Sequence, residues 1–241
     1  LNIWQKIKHK NLQLVYLAQF TSDEADDLST TGVPTIKNQP PYRIALVGHL
    51  RGNLTKAGLI YFGEHILPAL ERRGILENFS FDIIGKFEPE PDIAKRLQYP
   101  NIRFRGFIEN LADEIQMADV VLVPIPIAPG AGMRLSTLSS LSSCIVTHRA
   151  VGSSHDQYVD GQNCLMAESG DEFVDALVSG CSDVDLNRKL RAGARNTYES
   201  NFTPKAFFDT LEVLIQKKLV SNSEEMSFDS SVNINKTNSA Q

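Results

Sequence analysis

The sequence predicts an α/β fold, a doubly wound parallel sheet with helices on both of its faces. Short and almost wholly apolar segments, such as RIALVG at residues 43–48 and DVVLVPIPI at residues 119–127, alternate with longer segments of helical periodicity. Strands that are apolar on both sides are typical of a parallel sheet that helices cover above and below. Several of the apolar segments also end at a glycine, where a strand gives way to a loop.

The individual elements follow from the same two periodicities. In chain order, the predicted strands are residues 43–48, 79–85, 102–107, 119–127, 144–148 and 163–167. The predicted helices are residues 56–74, 110–118, 132–143, 170–180, 183–200 and 203–219. Asp171, Asp183 and Thr203 are the expected start signals of the last three helices, because a side-chain oxygen there can accept a hydrogen bond from a first-turn amide.

We expect three parts along the chain. Residues 1–42 are expected to form a helical and linker segment from a preceding domain, since SDEADDLSTTG is typical of a capped acidic helix and VPTIKNQPPY of a linker. Residues 43–219 form the α/β domain. Residues 220–241 are rich in Ser and Asn, and we expect a disordered tail because they offer little apolar surface to bury. The chain begins at Leu1 rather than at methionine, so we expect it to be part of a longer protein.

The composition of the chain indicates which kinds of partner and which cellular compartment to expect. The net charge of -5 over 241 residues gives no general attraction to nucleic acid, which is therefore not an expected partner. Cys144, Cys164 and Cys181 lie in or beside apolar segments, and we expect buried free thiols in a reducing compartment. The longest apolar run, residues 120–128, is too short to span a bilayer and contains two prolines. We expect a cytoplasmic protein that can contact a membrane only peripherally.

Histidines do not suggest a metal site. His9, His65 and His155 lack the spacing of metal ligands, so no metal or other cofactor is expected. His148 follows a predicted strand and could meet a ligand, but a capping or surface role is the commoner one for such a residue.

Two glycine-containing loops are candidates for anion binding. In an open parallel sheet, ligands bind beyond the carboxyl ends of the strands, where the strand order reverses. The loop after the first predicted strand joins Gly48 to Arg51 and Lys56, and the loop after the fourth carries Gly130 and Gly132 ahead of a helix. Helix N-terminal amides and nearby cations favour a phosphate. A glycine turn with solvated basic residues explains the first loop alone equally well, and neither loop matches a P-loop or a dinucleotide motif.

Eight short motifs follow one another in an order that is typical of one protein family. Over residues 43 to 215 they are ALVGHL, ILPAL, FDIIG, PNIRFRGFIENLADEIQMADVVLVPI, GAGMRLSTL, IVTHRAVG, YVDGQNCLM and LRAGARNTYESNF. This order resembles the carboxyl-terminal, Rossmann-like half of a glycosyltransferase of the GT-B fold, close to family 4. The upstream segment FTSDEADDLSTTGVP resembles the crossing from the amino-terminal half.

The resemblance implies a site for a nucleotide-diphosphate sugar and transfer of its sugar, with retention, to an acceptor that the sequence does not identify. The enzyme would be hexosyltransferase-like and would need no other cofactor. The implied donor-binding residues are Gly48, Arg51 and Lys56 at the diphosphate, Gly85 and Gly106 beside the base and ribose, and Gly130, Gly132, Met133 and Arg134 at the diphosphate and sugar. The acceptor would bind a missing amino-terminal domain, so the isolated chain is expected to be an incomplete enzyme.

Two departures from the family pattern affect the implied site. His49 stands where the family commonly has arginine. The family also has an acid near the glycine loop and another eight positions later, where this chain has Pro129 and Thr137. A small shift brings Ser136, Ser139 or Ser140 to the second place, and a serine hydroxyl could still accept a bond from a ribose hydroxyl.

Three functions remain open from the sequence. The leading hypothesis is the donor-binding domain of a retaining glycosyltransferase. The second is a degenerate, non-catalytic module that binds a nucleotide sugar or another protein, which the missing acids favour. The third is a nucleotide-binding α/β protein unrelated to sugars.

Overall fold

The structure, a computed structural model, describes residues 36, 37, 39–127 and 132–216, with the backbone alone at residues 132 and 133. The chain divides into two compact units, Phe20–Ala206 and a second that combines Leu1–Gln19 with Phe207–Gln241. Of the second unit, residues 207–216 are described and are helical. The expected disordered tail at residues 220–241 and the acidic helix of residues 22–32 lie outside the described residues.

Within the described residues of the first unit, six parallel strands form one sheet in the order β3-β2-β1-β4-β5-β6. The strands are β1 (Tyr42–Val47), β2 (Phe79–Ile84), β3 (Ile102–Gly106), β4 (Val120–Val123), β5 (Ile145–His148) and β6 (Leu165–Ala167). All residues of β4 and β5 are buried, as the apolar runs predicted. The chain adds strands outward from β1 on one side and from β4 on the other. This is the arrangement of a Rossmann-like doubly wound sheet. The predicted fold class is therefore confirmed.

Helices cover both faces of this sheet. In the described part of the chain they are α1 (Asn53–Tyr61), α2 (Leu67–Arg72), α3 (Pro91–Arg96), α4 (Leu111–Gln116), α5 (Gly132–Ser140), α6 (Arg149–Gly152), α7 (Gly170–Ser182) and α8 (Val184–Asn201). On one face α2 packs against α7, and on the other α5 packs against α8. The main core lies under α1, α2 and α7, where the rings of Phe62 and Phe81 are 4.9 Å apart and both are fully buried.

The cysteines lie in the interior, as predicted. Cys144, Cys164 and Cys181 are free and buried. Burial raises the pKa of the Cys144 and Cys164 thiols to about 12, so neither is a nucleophile at neutral pH.

The predicted helix over residues 56–74 is helical but interrupted. A π-helical turn at Phe62–Ile66 joins α1 to α2, and the Leu67 amide donates to the carbonyl of Phe62, five residues back. The interruption lies directly before Pro68, which has no N–H to continue the α-helical ladder. The short helices α3 and α6 were not predicted from the sequence.

Helix start signals were predicted with mixed success. The Asp183 carboxylate accepts hydrogen bonds from the amides of Asp185 and Leu186, which confirms it as the N-cap of α8. The Asp171 prediction was wrong, because α7 begins earlier and the Ser169 hydroxyl accepts the bond from the first turn. An acid at the second position of a helix interacts favourably with the positive end of the helix dipole, but it is not the N-cap of the helix.

Candidate functional site

The strand order reverses between β1 and β4, and the two loops predicted to bind an anion leave the sheet there. β1 and β4 are paired at the centre of the sheet, while the chain continues from β1 to β2 on one side and from β4 to β5 on the other. The resulting crevice at the carboxyl edge is where doubly wound folds bind ligands. The two loops meet there, since the Arg134 guanidinium of α5 donates to the Thr55 hydroxyl of α1 over 3.1 Å.

Gly48 and Gly85 are needed for close packing of the loops at this edge. A Cβ placed on Gly85 would lie 1.7 Å from the carbonyl oxygen of Gly48, and one on Gly48 would lie 2.5 Å from the Thr55 hydroxyl. Their amides are used within the protein, because Gly48 donates to Ile84 and Gly85 donates to Gly106. These two glycines therefore shape the edge without offering their own N–H groups to a ligand.

The first turn of α1 has backbone N–H groups that an anion could contact, unlike the N–H group of Gly48. Gly52 is the N-cap residue and supplies no side-chain oxygen to the first turn. The first turn of α1, all of it described, contains no acidic residue. Its unpaired N–H groups and the positive end of the helix dipole therefore remain available to an anion.

Arg134 is the cation that lies deepest at this edge. Its guanidinium is only 2.9 Å from the position of a Cβ on Gly48, so it lies directly beside the end of β1. Among the described residues, the Thr55 hydroxyl is its one hydrogen-bond partner, and no carboxylate lies within 4.0 Å. Burial lowers the pKa of Arg134, but an arginine stays charged at neutral pH. A partly buried positive charge without a counter-ion is suited to an anionic ligand.

Arg51 and Lys56 lie at the rim and contact the segment that follows β2. Lys56 Nζ forms an ion pair with Glu90 at 2.5 Å. The Arg51 guanidinium lies 5.5 Å from the centre of the Phe87 ring, and its Nε donates to the Glu88 carbonyl over 3.4 Å. Of the three predicted cations, the structure thus leaves Arg134 without an acidic partner and pairs Lys56 with one.

An apolar pocket of about 260 Å³ opens beside these loops. It is lined by Val47, Gly48, His49, Ile84, Gly85, Lys86, Phe107, Ile108 and Leu111. Gly106 has a φ of 68°, a left-handed conformation that turns the chain out of β3 and into the pocket wall. Phe107 is 63% exposed, and Lys86 Nζ lies 4.9 Å from the centre of its ring. The pocket offers a flat apolar ligand both an aromatic face and a cation.

Lys86 and Phe107, each beside the end of a predicted strand, are candidates from the sequence together with Gly85 and Gly106, and the structure places both at the pocket. The sequence reasoning missed Ile108 and Leu111, which complete the pocket wall. Thr55 gave no local signal, since its contact with Arg134 spans 79 positions in the sequence.

The loop after β4 is only partly described. Gly130 lies outside the described residues, Gly132 begins α5, and the structure gives the backbone alone at Met133. The first turn of α5 contains no acidic residue in the part that is described. The N-terminus of α5, like that of α1, lies at the carboxyl edge of the sheet, so the positive ends of both helix dipoles are at this edge.

The serines that replace the family acid do not face a ligand. Ser139 and Ser140 are fully buried. The Ser139 hydroxyl is 3.1 Å from the Tyr158 hydroxyl, and the Ser140 hydroxyl donates to the carbonyl of Thr137. Both are used inside the protein, so the expectation that one of them binds a ribose hydroxyl does not fit the structure.

His148 has a structural role. Its Nδ1 accepts a hydrogen bond from the Ala150 amide, which makes it the N-cap of α6, and burial lowers its pKa. His148 is thus a buried residue that caps a helix, and its ring nitrogen is used within the protein. In the part of the chain that the structure describes, no group of three or more His, Cys, Asp or Glu side chains could hold a metal ion.

Solved structures of other proteins share this Rossmann-like fold, and three of them show how far the likeness extends. S. aureus TarM, in complex with fondaparinux, α-GlcNAc-glycerol and UDP, has a TM-score of 0.62 at 11% identity over 85% of this chain and 40% of TarM. Anabaena HepE with UDP-glucose has a TM-score of 0.55 at 11% identity over 73% of this chain and 49% of HepE.

The third structure is a single domain. It is the C-terminal domain of LpcC, a group 1 glycosyl transferase of Francisella tularensis, with a TM-score of 0.54 at 18% identity over 71% of this chain and 95% of that domain. This chain thus spans less than half the length of TarM and HepE. No curated protein sequence matches it.

The family model of glycosyl transferases group 1 matches residues 41–183, more than half of the chain. The chain therefore belongs to glycosyl transferases group 1. Among the described helices, none combines the length and the apolar character needed to cross a bilayer.

Proposed function

We propose that this chain binds a nucleotide-diphosphate sugar at the carboxyl edge of its sheet and, within a longer protein, transfers the sugar to an acceptor. The observation that carries the proposal is the Arg134 guanidinium at the reversal of strand order, a partly buried cation with no carboxylate partner among the described residues. An anion placed there would also meet the open N-terminus of α1. A diphosphate is the anion that the donor implied by the motif order of residues 43–215 would bring to this edge.

The chemistry required of these groups is stabilisation of a leaving diphosphate. When the sugar–phosphate bond breaks, negative charge accumulates on the departing oxygen. Arg134 and the dipole of α1 are in place before the reaction, and preorganised charge of this kind lowers the barrier most effectively. Arg51 and Lys56 would add positive charge from the rim.

The apolar pocket suits the nucleoside. A base could stack on the exposed Phe107 ring, and the adjacent diphosphate would extend toward Gly48 and Arg134. TarM and HepE, which share the fold, were crystallised with UDP and UDP-glucose. These two structures make UDP the first nucleotide to test.

The finer parts of the proposal rest on the motif order of residues 43–215. That order supports membership of glycosyltransferase family 4, retention at the sugar carbon and an amino-terminal domain that binds the acceptor. We propose a cytoplasmic location, with any membrane contact peripheral.

Calorimetric titration of the chain with UDP and GDP tests donor binding. Replacing a charged donor to a phosphate should cost about 1.5 to 3 kcal/mol, so Arg134→Ala should weaken UDP binding about 10- to 100-fold. Arg188→Ala is the matched control, because it removes the same charge from an exposed residue of α8. Equal affinities of the two variants would exclude Arg134 from the site.

A second candidate is a non-catalytic module that binds a nucleotide sugar or another protein. The missing acid favours it, because neither Ser139 nor Ser140 offers a free hydroxyl in its place. Sugar transfer by the longer protein, over a panel of nucleotide sugars and acceptors, separates the two. Turnover that Arg134→Ala suppresses supports the enzyme, whereas UDP binding without turnover favours the module.

A further inference from the structure

Two side chains of the loop after β1, and a third near the start of α1, contact a single short segment that follows β2. This segment, residues 87–90, is called the 87–90 segment below. The His49 ring is 4.9 Å from the Phe87 ring, and the Arg51 guanidinium lies over the same ring at 5.5 Å. Lys56 forms its ion pair with Glu90 at the other end of the segment. Each of these three basic side chains therefore has a partner on the 87–90 segment.

The backbone of the 87–90 segment is held in an unusual conformation. Phe87 has a φ of 71°, a left-handed conformation that non-glycine residues seldom adopt, although its side chain is 55% exposed. In this conformation, the exposed Phe87 ring contacts the side chains of His49 and Arg51. The segment is thus directed toward the loop after β1 rather than into solvent.

Glu90 has no other function in the described structure. It is the N-cap residue of α3, but its side chain makes no capping hydrogen bond. Its carboxylate is 48% exposed and the Lys56 side chain is 24% exposed, so the pair lies at the surface. Exposed ion pairs are weak, and a ligand with two or more negative charges can replace one carboxylate on the lysine.

We propose that Glu90 is an internal counter-ion that competes with the donor diphosphate for Lys56 and thereby lowers donor affinity. The proposal rests on the proposed function, since it requires a diphosphate in the crevice. In the free protein, Glu90 neutralises Lys56 and keeps it at the rim. When the diphosphate binds, Lys56 exchanges the carboxylate for a phosphate oxygen, and Glu90 turns to solvent without unwinding α3. Glu90 is then an affinity-determining residue that does not itself touch the ligand.

A plain surface ion pair that only joins α1 to α3 makes the opposite prediction. In that case removal of the Glu90 charge would loosen Lys56 and leave anion affinity unchanged or slightly weaker. The two accounts therefore predict different effects of removing the Glu90 charge. The counter-ion role predicts tighter anion binding, and the plain ion pair predicts unchanged or weaker binding.

The test is calorimetric titration of the full chain with UDP, inorganic pyrophosphate and uridine. Glu90→Gln should bind UDP and pyrophosphate about two- to fivefold more tightly than the unchanged chain, the range expected from loss of an exposed ion pair. Uridine has no phosphate, and its affinity should not change. Asp92→Asn is the matched control, because it removes the same charge two residues away on α3, where the side chain is exposed. In a Lys56→Met background, Glu90→Gln should give no gain.

The outcomes separate this inference from the proposed function. If the unchanged chain binds UDP but Glu90→Gln binds it no better, or Asp92→Asn gains as much, the counter-ion role is wrong and donor binding stands. If neither the unchanged chain nor Glu90→Gln binds UDP or pyrophosphate, both proposals fail. A gain that persists in the Lys56→Met background would also overturn the role, because the competition is for Lys56.

Discussion

Gly85 is a residue whose missing side chain matters as much as any charge at the site. The carbonyl oxygen of Gly48 occupies the space that a Cβ would need, at 1.7 Å. Backbone of one loop cannot move aside as the end of a flexible side chain can. A single methyl group at this position must therefore displace the whole loop after β1 or β2.

We expect Gly85→Ala to lower the free energy of unfolding by about 1 to 3 kcal/mol, the usual cost of overpacking. Gly63→Ala is the matched control, because its nearest neighbour is the Cδ2 end of Leu97 at 3.2 Å and the residue lies in a helical turn. Urea unfolding of the two variants measures the difference. Equal midpoints would show that the loops can separate without cost.

At the scale of elements, α8 braces the parts of the fold that carry the site. Arg191 donates to the carbonyls of Ala118 and Ser142, at the start of β4 and the end of α5. Asn187 donates to the carbonyl of Asp119 over 2.9 Å. These bonds hold the ends of β4 and α5 that lie away from the crevice, so α8 fixes both elements without entering the site.

Because α8 begins with a well-formed cap, we expect Asp183→Ala to cost about 1 kcal/mol of stability. The Asp183 carboxylate accepts two first-turn amides, and alanine can accept neither. Asp183→Asn should retain most of the stability, since asparagine caps almost as well. Thermal unfolding of both variants checks this, and an equal loss in the two would mean that charge matters here and capping does not.

The elements were largely predictable and their mutual contacts were not. The apolar runs of β1 and β4 and the cap at Asp183 are local signals, so the sequence indicates them directly. The pairing of Lys56 with Glu90 joins residues 34 positions apart, and no local pattern encodes it. The same holds for the serines of α5, whose hydroxyls could have faced either a ligand or the core. Gly48 was predicted to bind phosphate. The structure gives a further reason for a glycine there, because Thr55 and Arg134 leave no space for a Cβ.

For the whole molecule, an ion network across three adjacent strands links stability to pH. Asp82 of β2 is fully buried and pairs with Arg43 of β1 and with Arg103 and Arg105 of β3. Burial alone would raise the pKa of Asp82, but the hydrogen bonds and charges of Arg43 and Arg103 outweigh it and lower the pKa below its usual value. The folded protein therefore favours the charged carboxylate more than the unfolded chain does.

This network predicts acid destabilisation. Its contribution is fully present above the unfolded pKa of about 3.9 and is lost as pH falls through the lower folded pKa. Asp82→Asn should cost about 1.5 to 3 kcal/mol at neutral pH, because Arg103 loses its acidic partner and Arg43 and Arg105 keep only Glu114. Urea unfolding between about pH 7 and about pH 3 should show the variant and the unchanged chain converging as the pH falls. A constant difference would exclude Asp82 as the titrating group.

The strand order also sets the sequence in which the crevice comes into existence during synthesis. All residues that line the apolar pocket lie between Val47 and Leu111, and they leave the ribosome before Arg134. β1 and β2 can pair as soon as both have emerged, whereas Arg134 reaches the crevice only after β4 has joined β1. A nascent chain therefore holds the residues of the proposed nucleoside pocket before it holds Arg134, and the proposed anion site is the last part of the crevice to be completed.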